Sequence, residues 1–75
     1  LLQTAAALRN TRLRASPDKS ADPILRIDRG TEVGVLGVEG EWVHVKMSYK
    51  TKVAEGWVEK SSLDLSNYTD PGRRP

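Results

Sequence analysis

The sequence predicts an all-β fold, a small antiparallel β-barrel of five to six short strands with one short 3-10 turn. Two observations predict it. Short runs alternate strictly between apolar and polar residues, as strands half buried against a core do. Turn signals rich in glycine, proline and aspartate separate these runs at short intervals. A closed or partly closed sheet is expected because exposed strand edges invite aggregation.

The N-terminal half is predicted to contain two short strands joined by a loop. Residues 1–7 are ambiguous: a linker or frayed N terminus, the end of a helix, or the lead into a first strand. Residues 11–15 alternate and place Leu13 inward, and residues 23–27 form the next alternating run. The segment 16–22 between them consists of turn-forming residues, so it is predicted to be a loop.

The C-terminal half is predicted to form a three-stranded meander. Gly30 precedes it and is free to take a positive φ in a tight turn. The polar segment 48–52 is predicted to be a hairpin tip. The strands themselves are predicted at residues 31–38, 42–47 and 53–58, with a break at Glu39-Gly40-Glu41.

The last residues of the chain give weaker signals. Ser61 is a plausible cap for one short helical turn, and residues 64–66 are expected to close the barrel as a last strand. Residues 67–75 have two prolines, a glycine and no periodicity, which predicts a disordered tail or linker. The predicted organisation is therefore one barrel over residues 8–66 with a flexible segment at each end.

Size and charge limit the function classes. The chain has 75 residues, a net charge of +2 and no cysteine, so it forms one small domain that buries roughly 60% of its unfolded surface. Residues 1–66 hold ten Lys/Arg and nine Asp/Glu, a net charge of +1. Because this part of the chain is nearly neutral, its charge argues against nucleic-acid binding. The sequence has no apolar run that would insert into a membrane. Since it begins Leu1-Leu2, we expect it to be a piece of a longer protein.

Two tryptophans fall out of phase with the valines that face the core. Trp42 and His44 lie opposite Val43 on one strand, and Trp57 lies on the outer face of the next. A large aromatic there either braces the barrel or belongs to a binding surface. The structural interpretation of Trp42 is an indole packed over Gly56; the functional one is a platform for a sugar or peptide. Both roles stay open for Trp57 too.

The remaining candidate residues are polar. His44 has no cysteine and no second histidine in the chain to act with it, so neither catalysis, nor a metal site, nor a cofactor is predicted. Tyr49, at the hairpin tip, either recognises a ligand or packs back on the barrel. Arg12 and Arg14 are expected to form a salt bridge to Asp18 or Asp22. If it is exposed, such a bridge contributes ~0–1 kcal/mol to stability. Alternatively the two arginines receive a ligand carboxylate.

Six stretches, in this order and spacing, resemble the bacterial SH3-like (SH3b, Src-homology-3-like) domain family. They are Leu13-Arg14-Ala15-Ser16-Pro17, Pro23-Ile24-Leu25, Arg29-Gly30-Thr31-Glu32-Val33-Gly34-Val35-Leu36, Gly40-Glu41-Trp42-Val43-His44-Val45, Gly56-Trp57-Val58 and Ser61-Ser62-Leu63. The resemblance implies an SH3-like barrel that serves as a non-catalytic module of a larger bacterial protein. It favours the cell envelope or the extracellular space and leaves the cytoplasm open.

The resulting functional hypothesis is a binding or targeting module that recognises cell-wall peptidoglycan or a peptide. Its predicted ligand-binding residues are Trp42, Trp57, His44, Tyr49 and Asp18. The alternative is a structural docking domain of a multidomain sensor, kinase or scaffold protein, which binds another protein domain and no small ligand.

Overall fold

A computed structural model describes residues 2–70 of the chain. In chain order its elements are β1 (Gln3–Ala7), β2 (Thr11–Arg14), β3 (Pro23–Ile27), β4 (Glu32–Glu39), β5 (Trp42–Tyr49), β6 (Lys52–Glu59), a 3-10 turn (Lys60–Ser62) and β7 (Leu63–Asp64). The strands form one antiparallel sheet in the order β3-β2-β6-β5-β4-β1-β7, curled into a half-barrel. The predicted SH3-like all-β fold with one 3-10 turn is confirmed.

The inner face of the curled sheet holds the core. Its side chains alternate with outward-facing polar residues, as the period of a strand requires. The largest fully buried ones are Leu13, Ile27, Val33, Val43, Val45 and Val58. Burying each such side chain contributes roughly 1.5–3 kcal/mol. The predicted inward face of β5, which includes Met47 at 8% exposure, is confirmed.

Two tight turns connect the central strands into hairpins, and the first residue of each turn has a positive φ. Gly40 has φ +61° in the turn between β4 and β5, and Lys50 has φ +57° in the turn between β5 and β6. The second turn contains only Lys50 and Thr51, because the strands continue to Tyr49 and resume at Lys52. The connection is therefore shorter than the predicted segment 48–52. Gly30 takes the positive φ expected of it, +89°.

The N-terminal segment contributes a strand to the sheet. β1 pairs with β4 from Gln3↔Val35 to Ala6↔Glu32, and with β7 through Ala6↔Asp64 and Ala7↔Leu63. Of the alternatives left open for residues 1–7, the structure places residues 3–7 in a first strand. The alternation there is carried by alanines, and Ala5 and Ala7 are buried while Thr4 is exposed.

From the 3-10 turn onward, the capping residue and the last strand differ from those predicted. Ser61 lies inside the turn, and Glu59 occupies the capping position without a side-chain hydrogen bond, so the capping role predicted for Ser61 is wrong. The last strand is Leu63–Asp64, two residues long, rather than residues 64–66. At its end the Asp64 carboxylate accepts hydrogen bonds from the N–H and the hydroxyl of Ser66, at 3.0 and 2.7 Å.

Part of the predicted tail folds back onto the barrel. Tyr68 is half buried and packs against the core. The Gln3 side chain donates to the carbonyl of Thr69 at 2.7 Å and accepts from its N–H at 2.8 Å. These contacts join the N-terminal strand β1 to the segment that follows β7. Residues 71–75 of the predicted tail lie outside the described residues.

Candidate functional site

A row of side chains crosses the outer face of β2, β6 and β5. Arg14 pairs with Trp57, and Trp57 pairs with His44, so the three side chains are neighbours on one face. The rings of His44 and Trp57 stack with their centroids 4.7 Å apart and their planes inclined by 18°. The sheet register thus joins two of the predicted site residues directly.

The stacked pair covers one face of each ring. Both His44 and Trp57 are half buried, and an offset aromatic pair of this kind contributes about 0.5–1.5 kcal/mol beyond its area. Trp57 is therefore a brace for the barrel on the side that faces His44. His44 likewise has one ring face covered and is only partly open to solvent.

Trp42 is not packed over Gly56 as the structural interpretation expected. It pairs with Glu59 on β6, whereas Gly56 pairs with Val45. A Cβ on Gly56 would meet the carbonyl oxygen of Arg14 at 2.5 Å, so this glycine provides space for β2 to cross β6. Gly56 leaves room for the two strands to cross, and Trp42 lies three positions away along the β5–β6 ladder.

Trp42 instead lines a groove at the end of the β5–β6 ladder, which we call the Trp42 groove. It has a volume of about 270 Å³, and its walls are Lys19, Glu41, Trp42, Glu59 and Ser61. The N–H of Lys60 donates to the carbonyl of Glu41 at 2.8 Å, which ties the β4–β5 turn to the 3-10 turn. The positive φ of Gly40 makes that turn tight enough for this contact.

The loop between β2 and β3 brings Lys19 to this groove. Asp18 accepts hydrogen bonds from the N–H and the hydroxyl of Ser20, both at 2.9 Å. These two bonds, the backbone one first, lower the pKa of Asp18 against a small opposing effect of desolvation, and the nearby Arg14 adds to the lowering. The Asp18 carboxylate is thus engaged within its own loop.

The predicted salt bridge between this loop and the flanking arginines is wrong. Arg14 donates to the carbonyl oxygen of Ala21 at 3.0 Å, so it holds the loop through the backbone. Over residues 2–70 the ion pair with atoms within 4.0 Å joins Arg26 and Asp28, at 2.9 Å on the solvent-exposed surface. A carbonyl already fixed by the loop is a nearer acceptor for Arg14 than either aspartate.

Tyr49 lies far from the other candidates. It is seven residues from Trp42 along β5, about 23 Å at the usual rise per residue, and its side chain lies on the opposite face of the strand. Its ring is 49% exposed, with the Lys50 ammonium 5.6 Å from the centroid. The structure therefore brings together Trp42, His44 and Trp57, places Lys19 beside the first, and leaves Tyr49 apart.

Four residues of the Trp42 groove were missed by sequence reasoning. Glu41 precedes Trp42 in the Gly-Glu-Trp turn, and Glu59 lies directly across the ladder from it. A correct hairpin register would have found Glu59. Lys19 and Ser61 reach the groove through tertiary folding, for which the local sequence gives no signal.

Within residues 2–70, no group of three or more His, Asp or Glu side chains could hold a metal ion. The same residues contain no helix that is both long and apolar enough to span a bilayer.

Comparison with known proteins gives one match. A family model described as bacterial SH3 domain matches residues 9–64, which is β2 through β7. Searches of curated proteins and of solved structures found no match. The matched range includes Trp42, His44, Trp57 and every residue of the Trp42 groove, and it leaves β1 outside.

Proposed function

Because the chain belongs to the bacterial SH3 domain family, a family of small binding modules, we propose that it binds cell-wall peptidoglycan or a peptide for a larger bacterial protein. The binding surface comprises the Trp42 groove and the adjacent His44–Trp57 stack. The observation that carries the proposal is the position of Trp42, half buried in the barrel and lining a groove of about 270 Å³.

The geometry around Trp42 suits recognition of a small unit of a polymer. Its indole offers a large, rigid contact area at a low cost in side-chain entropy. The groove lies just under the roughly 300–1,000 Å³ usual for small-molecule sites. A single sugar or amino-acid residue fits such a volume, so affinity for one unit will be weak and a repeating polymer supplies the rest.

The test is a titration of isotope-labelled protein with soluble muropeptides, followed by amide and indole NMR. We expect shifts at Trp42, Glu41 and Lys19 at millimolar ligand and none at Tyr49. Trp42→Ala should abolish them, and Tyr49→Ala, the matched control on the same hairpin, should not. A spectrum that stays unchanged around both Trp42 and Trp57 would rule the proposal out.

A second candidate function, docking against another protein domain, is favoured by a different surface. An open groove of about 380 Å³ on the outer face runs over Gly34, and Leu2 and Val53 are among its lining residues. Leu2 is 44% exposed and Val53 is 64% exposed. Exposed apolar side chains that line one groove are typical of a protein contact.

Docking predicts a different spectral signature. Amide shifts of this domain alone are compared with those of the same domain inside its longer parent chain. Docking moves the resonances of Leu2, Gly34 and Val53, and Val53→Ser reverses the change. If these resonances have the same chemical shifts in the two samples, the groove over Gly34 is not a docking surface within the parent chain.

A further inference from the structure

We propose that the Trp42 groove recognises the side-chain ammonium of a peptide's terminal residue, and that Lys19 receives the free carboxylate of the same residue. The ligand is thus a lysine-like or other diamino acid at the end of a peptide. This inference rests on the proposed function and specifies its ligand. It follows from the charges of the groove, from the hydrogen-bonded backbone that carries them and from its volume.

The groove holds two carboxylates beside one indole. Glu59 lies directly across the ladder from Trp42, where side-chain Cβ atoms are about 4.5–5.5 Å apart. Glu41 is the preceding residue in the turn, and both glutamates line the same cavity. An indole face attracts a cation, and two carboxylates add to that attraction. An anion would be repelled beside these two carboxylates.

These carboxylates are not neutralised by the lysines around them. Across residues 2–70, the pair with opposite charges within 4.0 Å is Arg26–Asp28. Neither Lys19 nor Lys60, although close in the fold, forms an ion pair with Glu41 or Glu59 at that distance. A ligand ammonium would therefore not have to displace an internal partner.

The charged groups are attached to fixed backbone. The Lys60 N–H to Glu41 carbonyl bond, 2.8 Å, joins the two turns that carry the groove. The bonds of Asp18 with Ser20 and of Ala15 N–H with the Asp22 carbonyl, 3.0 Å, hold the loop that carries Lys19. Fixed positions reduce the entropy that binding must overcome.

Lys19 adds a positive charge to the lining of the groove. It is the one lysine among the five lining residues, against two glutamates. A ligand that carries both an ammonium and a carboxylate matches this set of charges. The volume of about 270 Å³ limits the recognised unit to one residue.

Three small probes separate the two charges. Nα-acetyl-lysine carries both, Nα-acetyl-lysine methylamide has only the ammonium, and Nα-acetyl-norleucine has only the carboxylate. The readout is the indole N–H shift of Trp42, with that of Trp57 as internal reference. We expect removal of the ammonium to weaken binding at least about tenfold, equivalent to about 1.4 kcal/mol. Removal of the carboxylate should weaken it about threefold.

Isosteric variants assign the charges. Glu59→Gln should weaken Nα-acetyl-lysine binding about fivefold, and Glu55→Gln, on the same strand but across from Lys46, should leave it unchanged. Lys19→Gln should weaken the two probes that have a carboxylate and not the methylamide. Equal binding of lysine and norleucine probes, or full affinity in Glu59→Gln, would overturn the ammonium assignment.

The ligand's source and the proposed function are tested in separate arms. Muropeptides ending in a diamino acid are compared with an unrelated peptide ending in lysine. If muropeptides shift Trp42 but Nα-acetyl-lysine does not, the ammonium assignment fails and the proposed function stands. If the lysine probe and the lysine peptide bind but muropeptides do not, the charge assignment stands and the cell-wall ligand is excluded.

Discussion

The two halves of the β5–β6 hairpin differ in what surrounds them. In the anchored half, Trp42–Lys46 with Glu55–Glu59, β5 also pairs with β4, and β2 contacts β6 at Arg14↔Trp57. In the projecting half, residues 47–54, the two strands pair only with each other within the described chain. Beyond Met47, which is still buried at the base of the projecting half, exposure follows this difference: Val43, Val45 and Val58 are fully buried, whereas Val53 is 64% exposed.

The difference explains where a precise site can form on this small barrel. Both halves contain an aromatic side chain beside a basic one, His44–Trp57 in the anchored half and Tyr49–Lys50 in the projecting half. Only the first pair is flanked by paired strands on both sides. Side chains that packing holds in place make better binding sites than those on a free tip, so the Trp42 groove belongs to the anchored half for a physical reason.

The largest expected effect concerns the strand crossing that anchors the hairpin. Gly56→Ala should destabilise the domain by about 3 kcal/mol, because the new Cβ would meet the Arg14 carbonyl oxygen at 2.5 Å and the Leu13 side chain at 2.8 Å. Gly37→Ala is the control, since a Cβ there meets nothing within 4 Å. Urea unfolding measures both, and similar stabilities for the two variants would mean that β2 does not constrain β6.

The two turns of β5 should respond in opposite directions. Gly40→Ala forces a Cβ into a positive φ and should cost about 1–2 kcal/mol, whereas Lys50→Gly removes the same strain and should stabilise by up to about 1 kcal/mol. Thermal unfolding measures both changes. If Lys50→Gly destabilises instead, the contact of Lys50 with the Tyr49 ring outweighs the backbone strain.

The turn at Lys50 also shows what the sequence could not settle. Alternation correctly assigned the inward valines of β5, because the period of two is visible over six residues. The length of the connection was not visible, since neither glycine nor proline marks it. Strands ending at residue 47 and resuming at residue 53 leave five residues between them. The actual two-residue turn pairs His44 with Trp57 and Trp42 with Glu59, so the contacts of the site depended on a register that the sequence left undefined.

The ends of the barrel were unpredictable for a different reason. β1 consists largely of alanines, which alternate between buried and half-buried positions without a change in residue type. Tyr68 follows a segment with turn residues and packs on the core only because β1 and β7 bring that end of the barrel close. Lys19 likewise reaches the Trp42 groove through its loop. Such contacts between distant parts of the chain leave no local periodicity.

A smaller effect is expected for the coupling within the two aromatic pairs. A double-mutant cycle with His44→Ala and Trp57→Ala should give a coupling of about 1 kcal/mol, because the rings stack at 4.7 Å between paired strands. The corresponding cycle with Tyr49→Ala and Lys50→Ala should give only about 0.5 kcal/mol, the low end for a cation–π contact, since that pair is exposed. Equal couplings in urea unfolding would contradict the distinction between the anchored and projecting halves.

The smallest effect is the pH dependence contributed by two aspartates that lie outside the projecting half. Hydrogen bonds from Ser20 lower the pKa of Asp18, the backbone N–H first. Those from Ser66 lower the pKa of Asp64, the hydroxyl first. A carboxyl whose pKa is depressed in the folded state stabilises the fold above its unfolded pKa of about 3.9, and that stabilisation is lost as pH falls through the lower folded value.

Carboxyl NMR titration distinguishes the two aspartates. Ser66→Ala removes the larger cause at Asp64 and leaves the backbone N–H in place, so the pKa of Asp64 should move back toward its ordinary value. Ser20→Ala removes only the second cause at Asp18 and leaves the backbone N–H in place, so the pKa of Asp18 should move less. If Ser20→Ala has the larger effect, the hydroxyl rather than the loop backbone holds Asp18. The orientation of the Asp18 carboxylate, next to Lys19 in the loop, would then depend on that hydroxyl.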